Sequence, residues 1–426
     1  MNVNRMRRID CWLGVPVCFL LTCWRRLFGR GVPDSPGQPR SILFIKLSEQ
    51  GSTVLAQDAL RAAIAKVGDR NVYFLVFAEN RPILDLLDLI PPRNVITIDA
   101  RGLSRTILNA CGALRHLWRL KIDAVIDLEF FARSSAALAY LSGAAARVGY
   151  HAFNRGGPYR GDLMTHRLSF NPYLHTSQAF RIMVEALVHS PLSFPVLNLR
   201  PSPSALPSRP FVASESEIAA VRELIHQQTW SNTDPRLILL NANASDLLPL
   251  RKWPSERYVE LARRLLVRFP ELIVAFTGSP SEAEAIEKLV EQVGFDRAIN
   301  VAGKTSLRQL MALYSIAEVL VTNDSGPAHF ASLTTIDVVV LFGPETPRLF
   351  AAPSPRTHPL WAGIACSPCI NAFNNRNSAC RDNVCMQEIS VDQVLKTVSA
   401  IYESRRKKAQ ILSGPHRLSV KPRIRA

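Results

Sequence analysis

Short apolar runs alternate with longer stretches whose apolar positions recur every three or four residues, and the alternation occurs twice. Residues 41–47, 71–77, 95–98, 123–128 and 147–150 have the length and composition of buried strands. Between them, residues 53–66, 81–89, 103–120 and 133–141 carry helical periodicity, with Val54, Leu55, Ala59, Ala62 and Ala63 on one stripe. A stretch rich in Pro and Ser, residues 190–208, interrupts the pattern. It then restarts: helix 214–227, strand 236–241, helix 254–269, strand 272–276, helix 281–293, strand 298–301, helix 307–314 and strand 317–321. Strands alternating with helices predict parallel, doubly wound sheets. The fold class is therefore α/β, with two Rossmann-like halves whose strand carboxyl ends face a central cleft.

The densest chemistry follows the strand at 317–321. Thr322-Asn323-Asp324-Ser325-Gly326-Pro327-Ala328-His329 reads as a strand, a tight polar turn and a short helix. Backbone N–H groups at such a helix start suit an anion, and Asp324 and His329 beside it suit sugar hydroxyls. A second apolar run, residues 337–342, stops at Gly343-Pro344. This points to a phosphorylated or nucleotide-linked substrate.

Composition is that of a globular protein, 47% hydrophobic and 20% charged. The net charge of +16 changes the picture only once it is located. Residues 1–30 hold six Arg and one Asp, and residues 403–426 hold eight Lys or Arg and one Glu, so most of the excess lies at the two ends. A nucleic-acid protein would spread basic charge over its folded face, so no nucleic-acid partner is expected. Basic ends suit an anionic membrane surface. At the amino end an apolar run of about 14 residues, short of the roughly 20 that span a bilayer, carries Trp12 and Trp24 at its limits and Arg on both flanks. Residues 1–38 are read as a monotopic membrane anchor and linker, 39–200 and 205–402 as the two Rossmann-like halves, and 403–426 as a basic tail.

Four stretches carry a resemblance to a known family. They are ILFIKLSEQGSTVLAQDAL (42–60), LLNANASDLLPLRKWP (239–254), VAFTGSPSE (274–282) and VTNDSGPAHFASLTTIDVVVLFGPETPRLF (321–350). Across roughly residues 40–400 the chain resembles glycosyltransferase family 9, the heptosyltransferases of lipopolysaccharide core assembly. The resemblance implies the GT-B fold, with 39–200 as an acceptor-binding half and 205–402 as a donor-binding half, and inverting transfer of a sugar from a nucleotide diphosphate, typically ADP-heptose, to a lipid-linked glycan acceptor. It also implies no metal or other cofactor in catalysis, and a peripheral location on the cytoplasmic face of the inner membrane. Without a metal, cations and helix N-termini must stabilise the departing diphosphate. Arg251 and Lys252, Thr277 and Gly278, Glu282, and Asp324, Ser325, Gly326 and His329 are the expected donor-binding residues.

One position departs from the family. Its glycine loop continues Gly-Asp, and the Asp is the expected general base, whereas here the pair is Gly51-Ser52. A serine hydroxyl does not serve as a base near neutral pH without an activator. Glu129, at the carboxyl end of a strand, is the first substitute and Glu49 the second. The alternative is a catalytically inactive relative that binds nucleotide sugar or an envelope partner. Arg155, Arg160, His166 and His175 are the expected acceptor contacts. Finally, Cys366, Cys369, Cys380 and Cys385 have a spacing compatible with a structural zinc site, an iron–sulfur centre, disulfides or free thiols.

Overall fold

The computed structural model describes residues 3–29, 38–153, 157–201, 210–229, 236–244, 248–374 and 376–412. Two helices, α1 (Val3–Trp12) and α2 (Gly14–Phe28), precede a first sheet. Its strands are β1 (Ile42–Ile45), β2 (Val72–Phe77), β3 (Val95–Ile98), β4 (Ala124–Asp127), β5 (Ala146–Tyr150) and β6 (His166–Leu168). They are joined by α3 (Gln50–Leu55), α4 (Gln57–Val67), α5 (Arg81–Leu87), α6 (Leu103–Leu120) and α7 (Arg133–Leu141), and α8 (Thr176–Glu185) follows. After α9 (Glu215–Thr229) comes a second sheet: β7 (Arg236–Asn241), β8 (Leu272–Phe276), β9 (Ala298–Asn300), β10 (Val319–Asn323), β11 (Asp337–Phe342) and β12 (Thr357–Trp361). Its helices are α10 (Ser255–Arg268), α11 (Ala283–Val293), α12 (Leu307–Ile316), α13 (Gly326–Ala331), α14 (Pro347–Phe350), α15 (Val384–Gln387) and α16 (Val391–Leu412).

Both sheets are parallel, in the orders β3-β2-β1-β4-β5-β6 and β12-β11-β10-β7-β8-β9. Each order reverses between its first and fourth strands, and there the loops part and open a crevice. Strands buried on both faces need apolar residues throughout, which is why the runs read as continuous. In β1, Ile42 and Phe44 pack into one layer with Leu60 and Phe180, and Leu43 and Ile45 into the other with Leu114 and Leu138. The first of these layers is continuous with the second half, joining Phe130 to Phe350, whose rings meet edge-on at 6.4 Å. The two halves thus share apolar packing at the cleft.

Two expectations need correction. The helix expected over 53–66 breaks at Ala56, so a short α3 stands at the cleft and α4 packs behind it. Residues 403–412 are not tail: α16 buries Val394, Val398 and Tyr402, and Arg405 pairs with Glu318 and Asp337, both at 2.7 Å. The rest of the expected tail, 413–426, lies outside the described residues, as do 30–37 of the expected linker.

The amino-terminal helices are docked rather than free. A 21-residue stretch, Arg8–Phe28, is long and apolar enough to cross a membrane by length and composition. Even so, Cys18 and Thr22 are buried against the first half. Thr22 accepts from the Asp162 amide at 2.9 Å, Arg25 pairs with Asp162, and the Asp10 carboxylate accepts from the Arg133 and Ser134 amides at 3.1 and 2.8 Å. Asp10 therefore caps α7 from a distant part of the chain. Gly161, at φ +72°, lets this happen, since a Cβ there would sit 2.7 Å from the Cys18 carbonyl. Gly161→Ala together with Asp10→Ala should cost roughly 2–3 kcal/mol of docking. Limited trypsinolysis should then cleave after Arg25 or Arg26 much faster than in the unaltered chain.

Candidate functional site

The expected donor side stands on the carboxyl edge of the second sheet. Asn323 ends β10, and its side chain accepts from the Trp253 amide at 3.0 Å and donates to the Asn243 carbonyl at 3.2 Å. That ties the Arg251–Trp253 loop to the strand end. The Arg251 guanidinium donates to the Asp324 carbonyl at 2.9 Å, stands 3.6 Å from the Asp324 carboxylate and pairs with Glu345. The two sequence motifs thus meet at side-chain contact. Lys252 is half-buried, its carbonyl held by Asn383 at 2.8 Å.

Glu345 was missed by the sequence reading, which stopped at Gly343-Pro344. The signal was present: a carboxylate just past the end of a central strand, the same argument that selected Glu129. It is almost fully buried, and burial pushes its carboxyl up against the pull of Arg251. In the same region Arg251 Nε, Asp324 Oδ2, Glu345 Oε1 and His329 Nδ1 are buried without hydrogen-bond partners. Arg251 Nε and Asp324 Oδ2 face each other at 3.6 Å and Glu345 Oε1 lies 3.7 Å from Arg376, beyond hydrogen-bond length, so a polar ligand would complete what these pairs leave unfilled. The backbone dipole adds less than the sequence suggested, because α13 is only 6 residues long. Ser325 donates its hydroxyl back to the Asn323 carbonyl at 3.2 Å.

The remaining expected donor residues lie on the same sheet edge but have local partners. Thr277 is buried and accepts from Asn241 at 3.2 Å. Glu282 accepts from the Ser279 amide at 2.7 Å in a capping box. Gly278 is needed for close packing, as a Cβ would meet Glu282 at 3.2 Å and Ala302 at 3.3 Å.

Across the cleft, the loop after β1 turns into α3 at Glu49, whose φ of +67° is left-handed. A non-glycine residue there is strained and persists only where its surroundings hold it. Lys46 Nζ lies 3.3 Å from its carboxylate, Ser52 donates to it at 3.1 Å, and Arg376, from the cysteine-bearing loop of the second half, pairs with it. Glu49 thereby places a carboxylate within hydrogen-bond reach of the position where the family has Asp. Glu129 is a different kind of residue. One of its oxygens accepts from the Leu47 and Ser48 amides at 2.8 and 3.1 Å, and the other pairs with Lys46 at 3.0 Å. It fixes the loop shape, with its lone pairs engaged. Burial pushes the fully enclosed Lys46 ammonium down, opposed by Glu129. Gly51 admits His329 from the opposite half: a Cβ would lie 2.5 Å from the imidazole.

The expected acceptor contacts fare differently. Arg155 lies outside the described residues. Arg160 is buried, pairs with Asp127 and donates to the Phe130 carbonyl at 3.2 Å, so it braces the end of β4. His166 is buried in β6, between Thr165 at 2.8 Å and the His189 carbonyl at 3.2 Å. His175 caps α8 through Ser177 and bonds the Ala351 carbonyl at 2.8 Å, bridging the halves. The side chains of Arg160, His166 and His175, expected at an acceptor, thus turn inward onto local partners.

The four clustered cysteines are free thiols, with Cys385 buried, Cys369 half-buried and Cys366 and Cys380 exposed. Cys380 donates to the Asp382 carbonyl at 3.0 Å and Cys369 lies 3.4 Å from the Ser378 hydroxyl. Among the described residues no three His, Cys, Asp or Glu side chains are arranged to hold a metal ion. Cys111 is exposed on α6.

The sequence profile of glycosyltransferase family 9 (heptosyltransferase) matches residues 113–379, and the chain belongs to that family. Among relatives, lipopolysaccharide heptosyltransferase 2 of Salmonella typhimurium is 31% identical over 102 residues, 23% of this chain and 29% of that protein. Lipooligosaccharide heptosyltransferase 2 of Haemophilus ducreyi is 27% identical over 153 residues, 34% of this chain and 43% of that protein. The chain thus aligns with under half the length of these relatives. The fold agrees with E. coli ADP-heptose lipopolysaccharide heptosyltransferase II (TM-score 0.62, 19% identity, covering 86% of this chain and 99% of that one). It agrees also with a family 9 glycosyltransferase from Veillonella parvula (TM-score 0.65, 18% identity, covering 87% and 99%).

Two inward histidines set a pH dependence. Burial lowers His166 and His329 from 6.5 to about 4. Between those values the unfolded chain binds the proton and the folded chain does not, so stability is intact above pH 6.5 and falls as the pH drops toward 4. A shift of that size corresponds to about 3 kcal/mol per histidine. His166→Gln should remove one such share, so the stability difference between variant and unaltered chain, from urea melts, should narrow steadily from pH 7 to pH 4.

Proposed function

We propose that the chain is a metal-independent, inverting glycosyltransferase that moves a heptose from ADP-heptose to a lipid-linked acceptor of lipopolysaccharide core type. The observation that carries this is the pair of facing sets. Arg251, Asp324, Glu345 and His329 leave polar atoms unsatisfied on one wall, and Glu49 stands with Ser52 on the other. The relatives named above, heptosyltransferases of lipopolysaccharide, suggest the sugar and the acceptor class.

In this reading Arg251, with Lys252 beside it, takes the diphosphate, and its pairing with acidic neighbours keeps it oriented while the site is empty. Asp324 and His329 receive sugar hydroxyls, and the low pKa of His329 keeps its ring neutral, with one nitrogen able to accept. The acceptor hydroxyl attacks the anomeric carbon from the side opposite the leaving diphosphate. Glu49 takes the hydroxyl proton, and the bond to the diphosphate breaks as the new glycosidic bond forms, with inversion. Ser52 aims the Glu49 carboxylate through its hydrogen bond. Arg376 covers that carboxylate and must swing away for Glu49 to act, for example onto the donor phosphates. The apolar outer surface of α2 would rest on the cytoplasmic leaflet, near a lipid-linked acceptor. Cys366, Cys369, Cys380 and Cys385 would hold a structural zinc only after rearranging, and such an ion would fix the loop that carries Arg376.

With purified protein, ADP-heptose and a core-type acceptor, Glu49→Gln should lower kcat about 10²–10⁴-fold. Glu49→Gly should lose turnover equally and, although it relieves the left-handed backbone, should lower stability in urea melts, because it takes from Arg376 and the buried Lys46 the carboxylate they share. Glu129→Gln should instead reduce stability and kcat together. Full turnover in Glu49→Gln would remove that residue as the base, and absence of donor binding by the unaltered chain would remove the proposal. Elemental analysis of the purified chain tests the zinc reading: one zinc per chain, falling to none in Cys366→Ser with Cys369→Ser, would show the loop rearranging around an ion, and metal-free unaltered protein would end it.

A further inference from the structure

Helices α2, α7 and α6 lie on one face of the first sheet. Cys18 of α2, Ala136 and Leu138 of α7, and Leu114 and Leu117 of α6 pack into a single layer against Leu43 and Ile45 of β1. The Cys18 thiol donates to the Arg133 carbonyl of α7 at 3.6 Å, and Trp118 of α6 donates to the Leu141 carbonyl at the end of α7 at 2.7 Å. The three helices are therefore neighbours in one layer, and their outer sides form one surface.

That surface is apolar at both ends. On α2, Phe19, Leu20 and Leu27 are exposed, and on α6 so are Ile107, Leu108 (72% exposed) and Trp118. Its charge is net positive. The three helices contain Arg25, Arg26, Arg105, Arg115, Arg119 and Arg133 and no Asp or Glu. Arg133 is buried beside Asp10 of α1, and Arg25, Arg26 and Arg105 lie against Asp162 and Asp99 of adjoining segments, so the surplus rests chiefly on Arg26, Arg115 and Arg119. By contrast α11, an outer helix of the second half, carries Glu284, Glu287 and Glu291. Exposed aliphatic and tryptophan side chains interspersed with a surplus of arginine suit the headgroup layer of an anionic bilayer. A second copy of the chain fits less well, because a self-contact would set arginines against arginines.

We infer that α6 is a second lipid-contacting element, and that the α2–α7–α6 face lies flat on an anionic leaflet with the first sheet behind it. This deepens the membrane reading made above for α2. Two contacts fix orientation where one would leave the molecule free to pivot, so the cleft is held at a set angle to the surface.

Flotation of the full chain with liposomes tests it, using phosphatidylcholine alone and phosphatidylcholine with 30% phosphatidylglycerol. The unaltered chain should float with the anionic vesicles and much less with the neutral ones. Ile107→Glu with Leu108→Glu should lower the anionic-vesicle partition coefficient at least tenfold, with hydrolysis of ADP-heptose in solution and melting temperature unchanged. Phe19→Glu with Leu20→Glu reports on α2 separately. If the α2 pair lowers flotation and the α6 pair does not, the inference fails while the membrane reading of α2 stands. If the α6 pair abolishes a dimer seen by sedimentation and leaves flotation intact, the face is a contact between copies and the inference is overturned. Loss of turnover with flotation retained would bear on the proposed reaction alone.

Discussion

The two halves meet through a chain of buried charges. Lys46 holds Glu129 and Glu49, Arg376 reaches from the second half to Glu49 and lies 3.7 Å from Glu345, and Glu345 pairs with Arg251, which holds Asp324. Taking such ions out of water costs several kcal/mol each, and their mutual attraction does little more than offset this. The array is therefore poor value as a source of stability. What it does is fix the loop after β1, the turn after β10 and the segment after β11 relative to one another, with charged groups already in place where a charged substrate would lie. The cost is met by the apolar layer around it, where Arg376 lies over the rings of Phe130 and Phe350.

Much of the fold is legible in the pattern of apolar residues, because parallel strands buried on both faces announce themselves as short unbroken runs. Helices α6 and α7 and strands β3, β7, β8 and β11 fall where periodicity puts them. The failures have a common cause. Strand β6 is three residues long and helix α8 follows a polar stretch, so neither has enough local signal, and their positions depend on pairing with β5 and on packing with α4. Residues 403–412 look like a tail because their basic side chains are paired with Glu318, Asp337 and Glu271, partners far away in sequence.

The site was legible by motif and not by geometry. That Arg251 and Asp324 belong together follows from resemblance, and the contact between them agrees. The choice between Glu129 and Glu49 required coordinates. Both are carboxylates near a strand end, and the chain does not say that one receives two backbone amides while the other stands beside Ser52. Arg160 and His166 show the converse: types that suit an anionic ligand are equally able to satisfy buried carboxylates and carbonyls. Glu345 had a signal, its place after a central strand, but the glycine and proline before it drew attention to the turn instead.

The contact between Gly51 and His329 has a mechanical consequence. With the imidazole seated where a side chain at position 51 would stand, the halves are already as near as hard-sphere contact allows at this point. A substrate cannot be captured by further closure here. Any change in the separation of the lobes at this point can only be an opening, so the contact marks the closed limit of their movement. An alanine at 51 would prop the gap ajar, sacrificing the seal against water.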